Sequence, residues 1–154
     1  LLHTYFRVPN IDEVRISGLK HSYKDHLGDK GIRLPHAGDD MVISKEVDRE
    51  YTNYPQENAI VISSGDMKPG FSIKTKANID NETSPARYDV VLWNPWIDKA
   101  KATADLDDDA YKHYVCVEPG NVSGGGTRLP AGSSFVIEQK IEVTIPKAAP
   151  LDGV

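Results

Sequence analysis

Five residues of the 154-residue chain have side chains and positions suited to chemistry on a small polar molecule: His3, Asp48, Trp93, Asn94 and Glu118. A histidine can donate or accept a proton near neutral pH, and His3 lies on the polar face of a strand-like segment. Glu118 ends an apolar run, where burial would raise its pKa toward the range of a general base. The pattern alone favours a plain surface position for His3. For Glu118 the pattern leaves two interpretations open: a buried carboxylate with partners, or a carboxylate that is turned to solvent.

The other three candidates lie in two unusual segments. Asp48 belongs to the segment 46–51, and in an extended chain Glu46, Asp48 and Glu50 share one face. Three acids on one face are more often exposed to solvent than catalytic. The segment Trp93-Asn94-Pro95-Trp96 places two indoles around a proline turn. It predicts either a platform on which a sugar ring stacks or a corner of the core.

Metal and phosphate motifs are weaker. The candidate metal ligands are His21, His26, His36, Asp25, Asp39 and Asp40, but their spacing matches no known ligand set. The loop 124–126 has three glycines and lacks the Lys-Ser/Thr pair of a phosphate-binding loop. Cys116 has no evident nucleophilic partner, so we interpret it as a buried structural thiol. We therefore predict no metal site.

Charge and composition exclude two classes of partner. A net charge of −5 argues against nucleic acid, which requires clustered lysines and arginines. No apolar run approaches the roughly 20 residues of a membrane-spanning helix, and no segment has the order of a signal peptide. One cysteine favours a reducing compartment. We expect a cytoplasmic protein, with a plastid location also open.

Hydrophobic residues recur mostly with period two, which predicts strands. The predicted strands are 3–8, 13–17, 41–47, 59–63, 71–76, 88–93, 114–118 and 135–145, with a polar excursion over 19–40 and a short helix over 97–104. The segment 88–93 is apolar on both faces, which indicates a central strand. In the last strand the predicted inner face is Phe135, Ile137, Gln139, Ile141, Val143 and Ile145. The pattern predicts an all-β sandwich.

Several of these segments occur in the order found in one enzyme family. They are His3-Thr4-Tyr5-Phe6, Tyr23-Lys24-Asp25, the segment 46–51, Asp89-Val90-Val91-Leu92-Trp93-Asn94-Pro95-Trp96 with Lys99-Ala100, and Val115-Cys116-Val117-Glu118-Pro119-Gly120. Together they resemble the C-terminal half of the glucose-6-phosphate 1-epimerases, or D-hexose-6-phosphate mutarotases, which are relatives of the aldose 1-epimerases. The resemblance extends from His3 to about Ile145, and the two last segments are its most specific parts.

The resemblance implies a galactose mutarotase-like β-supersandwich, with residues 1–146 as a C-terminal portion and 147–154 as a tail. It implies that His3 and Glu118 are the catalytic acid and base, and that Asp48 holds sugar hydroxyls. We expect Trp93 and Asn94 to bind the same substrate. The implied reaction interconverts the α and β anomers of glucose 6-phosphate, with no metal ion or organic cofactor.

The same resemblance sets the expected partners. In this family the phosphate is held by an N-terminal half, so we expect that half and a hexose 6-phosphate as partners, without nucleic acid or membrane. The chain begins Leu1-Leu2-His3 inside a strand-like pattern, so we expect it to be cut within a domain and not to be a stable active enzyme alone. Two alternatives remain: a non-catalytic carbohydrate-binding or scaffold protein, and an epimerase of unphosphorylated aldoses.

Overall fold

The computed structural model describes residues 1–28, 31, 33–34, 40–65, 68–123 and 126–145. The strands are β1 (Tyr5–Arg7), β2 (Val14–Ser17), β3 (Tyr23–Asp25), β4 (Arg33–Leu34), β5 (Asp40–Met41), β6 (Val47–Tyr51), β7 (Ile60–Ser64), β8 (Gly70–Ile79), β9 (Asp89–Asn94), β10 (Tyr114–Gly120) and β11 (Phe135–Thr144). The helix α1 spans Trp96–Ala102, and 3₁₀ turns span Ile11–Glu13 and Ala110–His113. Within these ranges, no helix is long and apolar enough to cross a membrane.

The strands form two antiparallel sheets. The first sheet has the order β1-β10-β9-β6-β3-β4, and the second has the order β11-β8-β7-β2-β5. β9 lies in the middle of the first sheet, as its two apolar faces predict, between β10 and β6. In the second sheet β8 pairs with β11 along its whole length of ten residues.

One apolar core lies between the inner faces of the two sheets. Phe6 and Leu92 from the first sheet and Ile16 and Ile62 from the second are all buried. Phe6 meets Phe71 of the opposite sheet with ring centroids 5.2 Å apart, which is an ordinary distance for an aromatic pair. Because side chains alternate along a strand, the first sheet presents a second set of residues on its other face. That second face carries the polar groups described below.

The predicted fold class and most predicted strands are confirmed. The structure is built of antiparallel strands with little helix, and it packs as a sandwich. Val14 and Ile16 of the predicted strand 13–17 are both fully buried. The alternation from Phe71 to Lys76 belongs to a longer strand, β8.

Two predictions on the segment before β6 are wrong. Residues 41–47 are not one strand, because β5 ends at Met41 and β6 begins at Val47. The excursion over 19–40 contains β3 and β4, which pair with each other and extend the first sheet. These strands have two or three residues each, too few for period-two alternation to be visible in the sequence. The tail 147–154 lies outside the described residues.

The inner face predicted for the last strand is only partly inner. Phe135 and Ile137 pack against the core, but Ile141, Val143 and Ile145 are 43%, 61% and 78% exposed. β11 is the outermost strand of its sheet and pairs with β8 alone. Its second half therefore runs past the region that the opposite sheet covers.

Candidate active site

The register of the first sheet assembles a polar face on the side away from the core. Val91 in β9 stands opposite both Glu118 in β10 and Glu50 in β6. Trp93, two residues further along β9, stands opposite Asp48. Directly paired residues of antiparallel strands point to the same side of a sheet, and so do residues two apart. These five side chains therefore share one face.

His3 meets Glu118 at one end of this face. The Nε2 atom of His3 lies 3.2 Å from Oε1 of Glu118, and the two side chains are 44% and 4% exposed. A buried carboxylate thus has a half-exposed imidazole as its partner.

The N-terminal segment reaches Glu118 because β10 ends in a glycine. The backbone N–H of Leu2 donates to the carbonyl of Pro119 at 2.9 Å, which holds the segment beside β10. A Cβ atom on Gly120 would lie 2.7 Å from the Cα of Leu1, closer than real Cβ contacts. Glycine at this position is therefore what lets the backbone before His3 pass over the end of the strand.

Glu118 has an unusual affinity for its proton. Burial, with a smaller contribution from the negative charge of Asp48, raises the pKa of Glu118 to about 7. The carboxyl group can therefore hold or release a proton close to neutral pH, as a reversible acid–base catalyst requires.

This shift predicts a pH-dependent gain in stability for Glu118→Gln. The reference pKa of the group is 4.5 and the folded value is about 7, so between these pH values the folded state binds more protons than the unfolded state. The free energy of unfolding of the wild type then falls as pH rises through this window. Glutamine does not titrate, so the variant should be more stable at pH 8, by at most about 3 kcal/mol, and equal near pH 4.

Urea unfolding at both pH values measures this difference. Glu138→Gln, an exposed substitution on β11, serves as the control and should leave stability unchanged at either pH. If Glu118→Gln is the less stable protein at pH 8, the His3–Glu118 contact acts as a stabilising ion pair and burial does not dominate.

Aromatic rings hold the imidazole of His3. It stacks on Tyr5 at 4.8 Å between centroids and meets Trp93 edge to face at 5.8 Å. Trp93 is half-buried on the same face as Glu118, and the ammonium of Lys99 lies 5.8 Å from its ring centroid. Trp93 thus stands beside the His3–Glu118 pair, where a sugar ring could contact it.

A cleft of about 770 Å³ opens on this face. Six of its lining residues are ionisable: Lys24, His26, Asp48, Glu50, Lys99 and Glu118. Val91 lines its floor between two of the carboxylates. A pocket lined in this way suits a ligand with many hydroxyl groups, because carboxylates accept and ammonium groups donate hydrogen bonds.

Asn94 is not brought to the cleft. Its side chain is fully buried, and Nδ2 donates to the carbonyls of Tyr111 and Tyr114 at 2.9 Å each. Its Oδ1 accepts the backbone N–H of Trp96, also at 2.9 Å, and Trp96 has a φ of 55°, a left-handed conformation that is costly for a large residue. Asn94 therefore fixes the turn that joins β9 to α1.

The structure also brings together a pair that the sequence reasoning missed. Nε2 of His26 lies 3.1 Å from Oε2 of Glu50, and both residues line the cleft. The sequence predicts the shared face of Glu46, Asp48 and Glu50, but it indicates no partner for Glu50. The sequence indicates His26 only as a candidate metal ligand, because the three-residue strand before it is too short to show which side chains share its face. Of the other candidate metal ligands, His36 and Asp39 lie outside the described residues, and His21 contacts Asn58 at 3.3 Å.

Three potential metal donors meet at the His3–Glu118 pair. Within the described part of the chain, His3, Cys116 and Glu118 are the one group whose ligand atoms all lie within 4.8 Å of one another. Burial, followed by the charge of Glu118, raises the pKa of the Cys116 thiol, and the residue has no exposed surface. Metals bind the thiolate form, so this donor set suits a resident metal ion poorly.

Asp89 shapes the wall next to the cleft. It is buried, which opposes ionisation, but hydrogen bonds from the backbone of Ser123, Asn53 and Val122 and from the Ser123 hydroxyl hold its pKa below the usual range. The N–H groups of Val122 and Ser123 donate at 3.0 and 2.8 Å. Since Val122 lines the cleft, Asp89 fixes the chain that leaves β10 there.

The sequence matches one family model and several curated relatives. Residues 1–142 match the model described as aldose 1-epimerase. A protein of Cenchrus ciliaris is 40% identical over 129 residues, which are 83% of this chain, and one of Escherichia coli is 31% identical over 76% of it. Both carry the name "Putative glucose-6-phosphate 1-epimerase".

Solved structures agree on the fold. A crystal structure of a "putative mutarotase" from Salmonella typhimurium superposes with a TM-score of 0.74 over 94% of this chain, at 25% identity. The crystal structure of HI1317 superposes with a TM-score of 0.63 over 92% of the chain, at 23% identity. The chain spans 36% of the length of the two curated relatives and 44% and 45% of these two structures.

Proposed function

The chain belongs to the aldose 1-epimerase family, and from this premise we propose that the protein interconverts the α and β anomers of a hexose 6-phosphate by opening and reclosing the sugar ring. The observation that carries this proposal is the His3–Glu118 pair. A buried carboxyl with a pKa of about 7 lies 3.2 Å from a half-exposed imidazole at one end of a polar cleft. One acid and one base at the anomeric centre are the groups that mutarotation requires.

In the proposed mechanism Glu118 acts first as the base. Its carboxylate removes the proton of the anomeric O1 hydroxyl, while a protonated His3 donates to the ring oxygen. The bond from C1 to the ring oxygen breaks, C1 rotates about the C1–C2 bond, and reclosure with the roles reversed gives the other anomer. Both residues end the cycle in their starting protonation states.

His3 and Glu118 must move apart before the anomeric centre of a sugar can lie between them. Glu118 is buried in a strand paired on both sides, whereas His3 is 44% exposed and precedes β1. His3 is therefore the partner that moves when the anomeric centre enters between them. Asp48 lines the same cleft and supports the proposal as an acceptor for sugar hydroxyls. Trp93, next to His3, offers an apolar surface to the ring.

The choice of glucose 6-phosphate rests on the names of the relatives. Proteins named as glucose-6-phosphate 1-epimerases match at 40% and 31% identity. The general chemistry at C1 does not depend on the phosphate, because the proposed acid and base act on O1 and the ring oxygen.

Magnetisation-transfer NMR on the complete protein tests the function. We expect exchange between α- and β-glucose 6-phosphate well above the uncatalysed rate, and slower exchange for unphosphorylated glucose. Equal rates for the two sugars would overturn the phosphate preference alone. Sugar binding without accelerated exchange would identify a carbohydrate-binding protein on the same fold and overturn the enzymatic proposal.

The pKa of Glu118 also predicts the acid limb of the pH–rate profile. The base must be ionised, and the folded-state pKa is about 7, so kcat/KM should fall about tenfold per pH unit below pH 7. Measuring exchange from pH 5 to pH 8 locates the limb. An acid limb near the reference value of 4.5 would show that Glu118 is not the base or that its pKa is not raised in solution.

A further inference from the structure

A second imidazole–carboxylate pair lies in the same cleft as the first. His26 and Glu50 are 3.1 Å apart, with side chains 35% and 7% exposed, against 3.2 Å, 44% and 4% for His3 and Glu118. Each pair thus combines a buried carboxylate with a half-exposed imidazole. Both carboxylates and His26 line the cleft.

The sheet fixes the separation between the two pairs. Glu118 and Glu50 both stand opposite Val91, so they belong to one row across three strands. Adjacent strands are about 4.8 Å apart, which places the two Cα atoms about 10 Å apart. The backbone N–H of His26 donates to the carbonyl of Asp48 at 2.9 Å, which ties His26 to the same part of the face.

The proposed mechanism places C1 at Glu118, two strands away from Glu50, so it needs neither His26 nor Glu50 for proton transfer at C1. An acid or base must be within hydrogen-bond reach of the atom it serves. A sugar whose O1 contacts Glu118 and whose ring lies in the cleft over Val91 presents its other hydroxyl groups to Glu50. The second pair therefore faces the part of the substrate that does not react.

His26 and Glu50 also have donor and acceptor atoms that are available to a ligand. Glu50 has two oxygens, and only Oε2 contacts His26. Among the described residues, Nδ1 of His26 makes no hydrogen bond. Lys24 stands opposite Glu50 across the strands and lines the same cleft. A carboxylate and an imidazole side by side can accept from and donate to neighbouring hydroxyl groups.

We propose that His26 and Glu50 form a subsite that binds the ring hydroxyls remote from C1 and so determines which hexoses the cleft accepts. This inference rests on the proposed function for the position of C1. His26 and Glu50 are specificity-determining residues, with no part in the bond changes. A site that hydrogen-bonds a substrate hydroxyl discriminates strongly against the analogue that lacks it.

The test combines variants with deoxy sugars. Exchange kinetics of the complete protein are measured on glucose 6-phosphate and its 2-, 3- and 4-deoxy analogues, for the wild type, His26→Asn and Glu50→Gln. For the wild type we expect at least one analogue to lose about 10- to 100-fold in kcat/KM. In the variants the KM for the parent sugar should rise about tenfold, kcat should change less than threefold, and the penalty for that analogue should disappear.

The matched control is His21→Asn, a histidine that packs against Tyr54 and contacts Asn58. It should leave KM and the deoxy penalties as in the wild type. Thermal melting of each variant identifies any that fails to fold. His26→Asn is the variant expected to disturb folding less, because His26 is the less buried residue of the pair. Unchanged KM values and deoxy penalties in a folded His26→Asn variant would overturn the subsite while leaving the proposed function intact.

A direct binding measurement distinguishes a failure of the proposed function from a failure of the His26–Glu50 subsite. The imidazole signals of His26, assigned by their loss in His26→Asn, are followed as glucose 6-phosphate is added. If the wild type shows no exchange activity but the sugar shifts these signals, the proposed function fails and the subsite stands. If the sugar binds and the His26 signals do not move, the subsite is overturned.

Discussion

Replacing Glu118 by glutamine is expected to lower kcat for anomer exchange by about 10²- to 10⁴-fold, the usual contribution of a general acid–base group. Glutamine has nearly the same shape and keeps a hydrogen-bonding group near His3, but it cannot take a proton from O1. KM should therefore change little. Magnetisation-transfer NMR at pH 7.5 gives both constants, with the uncatalysed exchange subtracted.

The loss cannot be attributed to unfolding if the stability prediction also holds. Glu118→Gln should be at least as stable as the wild type above pH 7, because it removes a buried charge. Glu138→Gln makes the same chemical change at an exposed position and should keep full activity. A Glu118→Gln protein with wild-type kcat would remove Glu118 from the mechanism.

The largest expected loss of stability follows from Asn94→Ala. The wild-type side chain makes three hydrogen bonds of 2.9 Å while fully buried. Alanine leaves the carbonyls of Tyr111 and Tyr114 and the N–H of Trp96 without these partners, at about 1–3 kcal/mol for each buried unsatisfied group. Allowing for relaxation, we expect the free energy of unfolding to fall by about 3–5 kcal/mol, as measured by urea denaturation.

Asn78→Ala is the matched control, since Asn78 is exposed on β8. Asn78→Ala should change the free energy of unfolding by no more than about 0.5 kcal/mol. Asn94→Asp keeps the acceptor for Trp96 but loses both donors, so it should also destabilise strongly. A loss below 1 kcal/mol for Asn94→Ala would mean that water or a shifted turn replaces the amide.

The sequence predicts those parts of the fold that depend on local alternation. β2, β7 and β8 are long enough for buried and less buried residues to alternate visibly, and β9 is recognisable because it is apolar on both faces. β3 and β4 are not predictable in this way. Two or three residues become a strand only because they pair with β6 and with each other, and such pairing is non-local.

The candidate site likewise contains residues that the sequence identifies and one whose orientation depends on distant parts of the chain. His3, Asp48, Trp93 and Glu118 lie at or beside strand ends with unusual composition, and the ordered motifs identify them together. Asn94 belongs to the same motif, but neighbours that are distant in sequence turn its amide inward.

Glu50 and His26 could not be paired from the sequence. Glu50 is one of three alternating acids, and nothing in that pattern distinguishes a buried member from exposed ones. Its burial depends on the register between β3 and β6, which brings the residue after β3 beside Asp48. Register depends on the hydrophobic pattern and turn geometry of both strands together, and a three-residue strand such as β3 is too short for its own residues to specify it.

The alternation of β10 has a consequence for how this protein can vary. Val115 and Val117 face the core, while Cys116 and Glu118 belong to the polar face, so neighbouring positions of one strand serve separate purposes. Substitutions on the polar face can change chemistry without disturbing the core. An insertion or deletion of one residue within β10 would exchange the two sets and send a carboxylate into the core. Divergence along this strand should therefore proceed by replacement of side chains, with its length held constant.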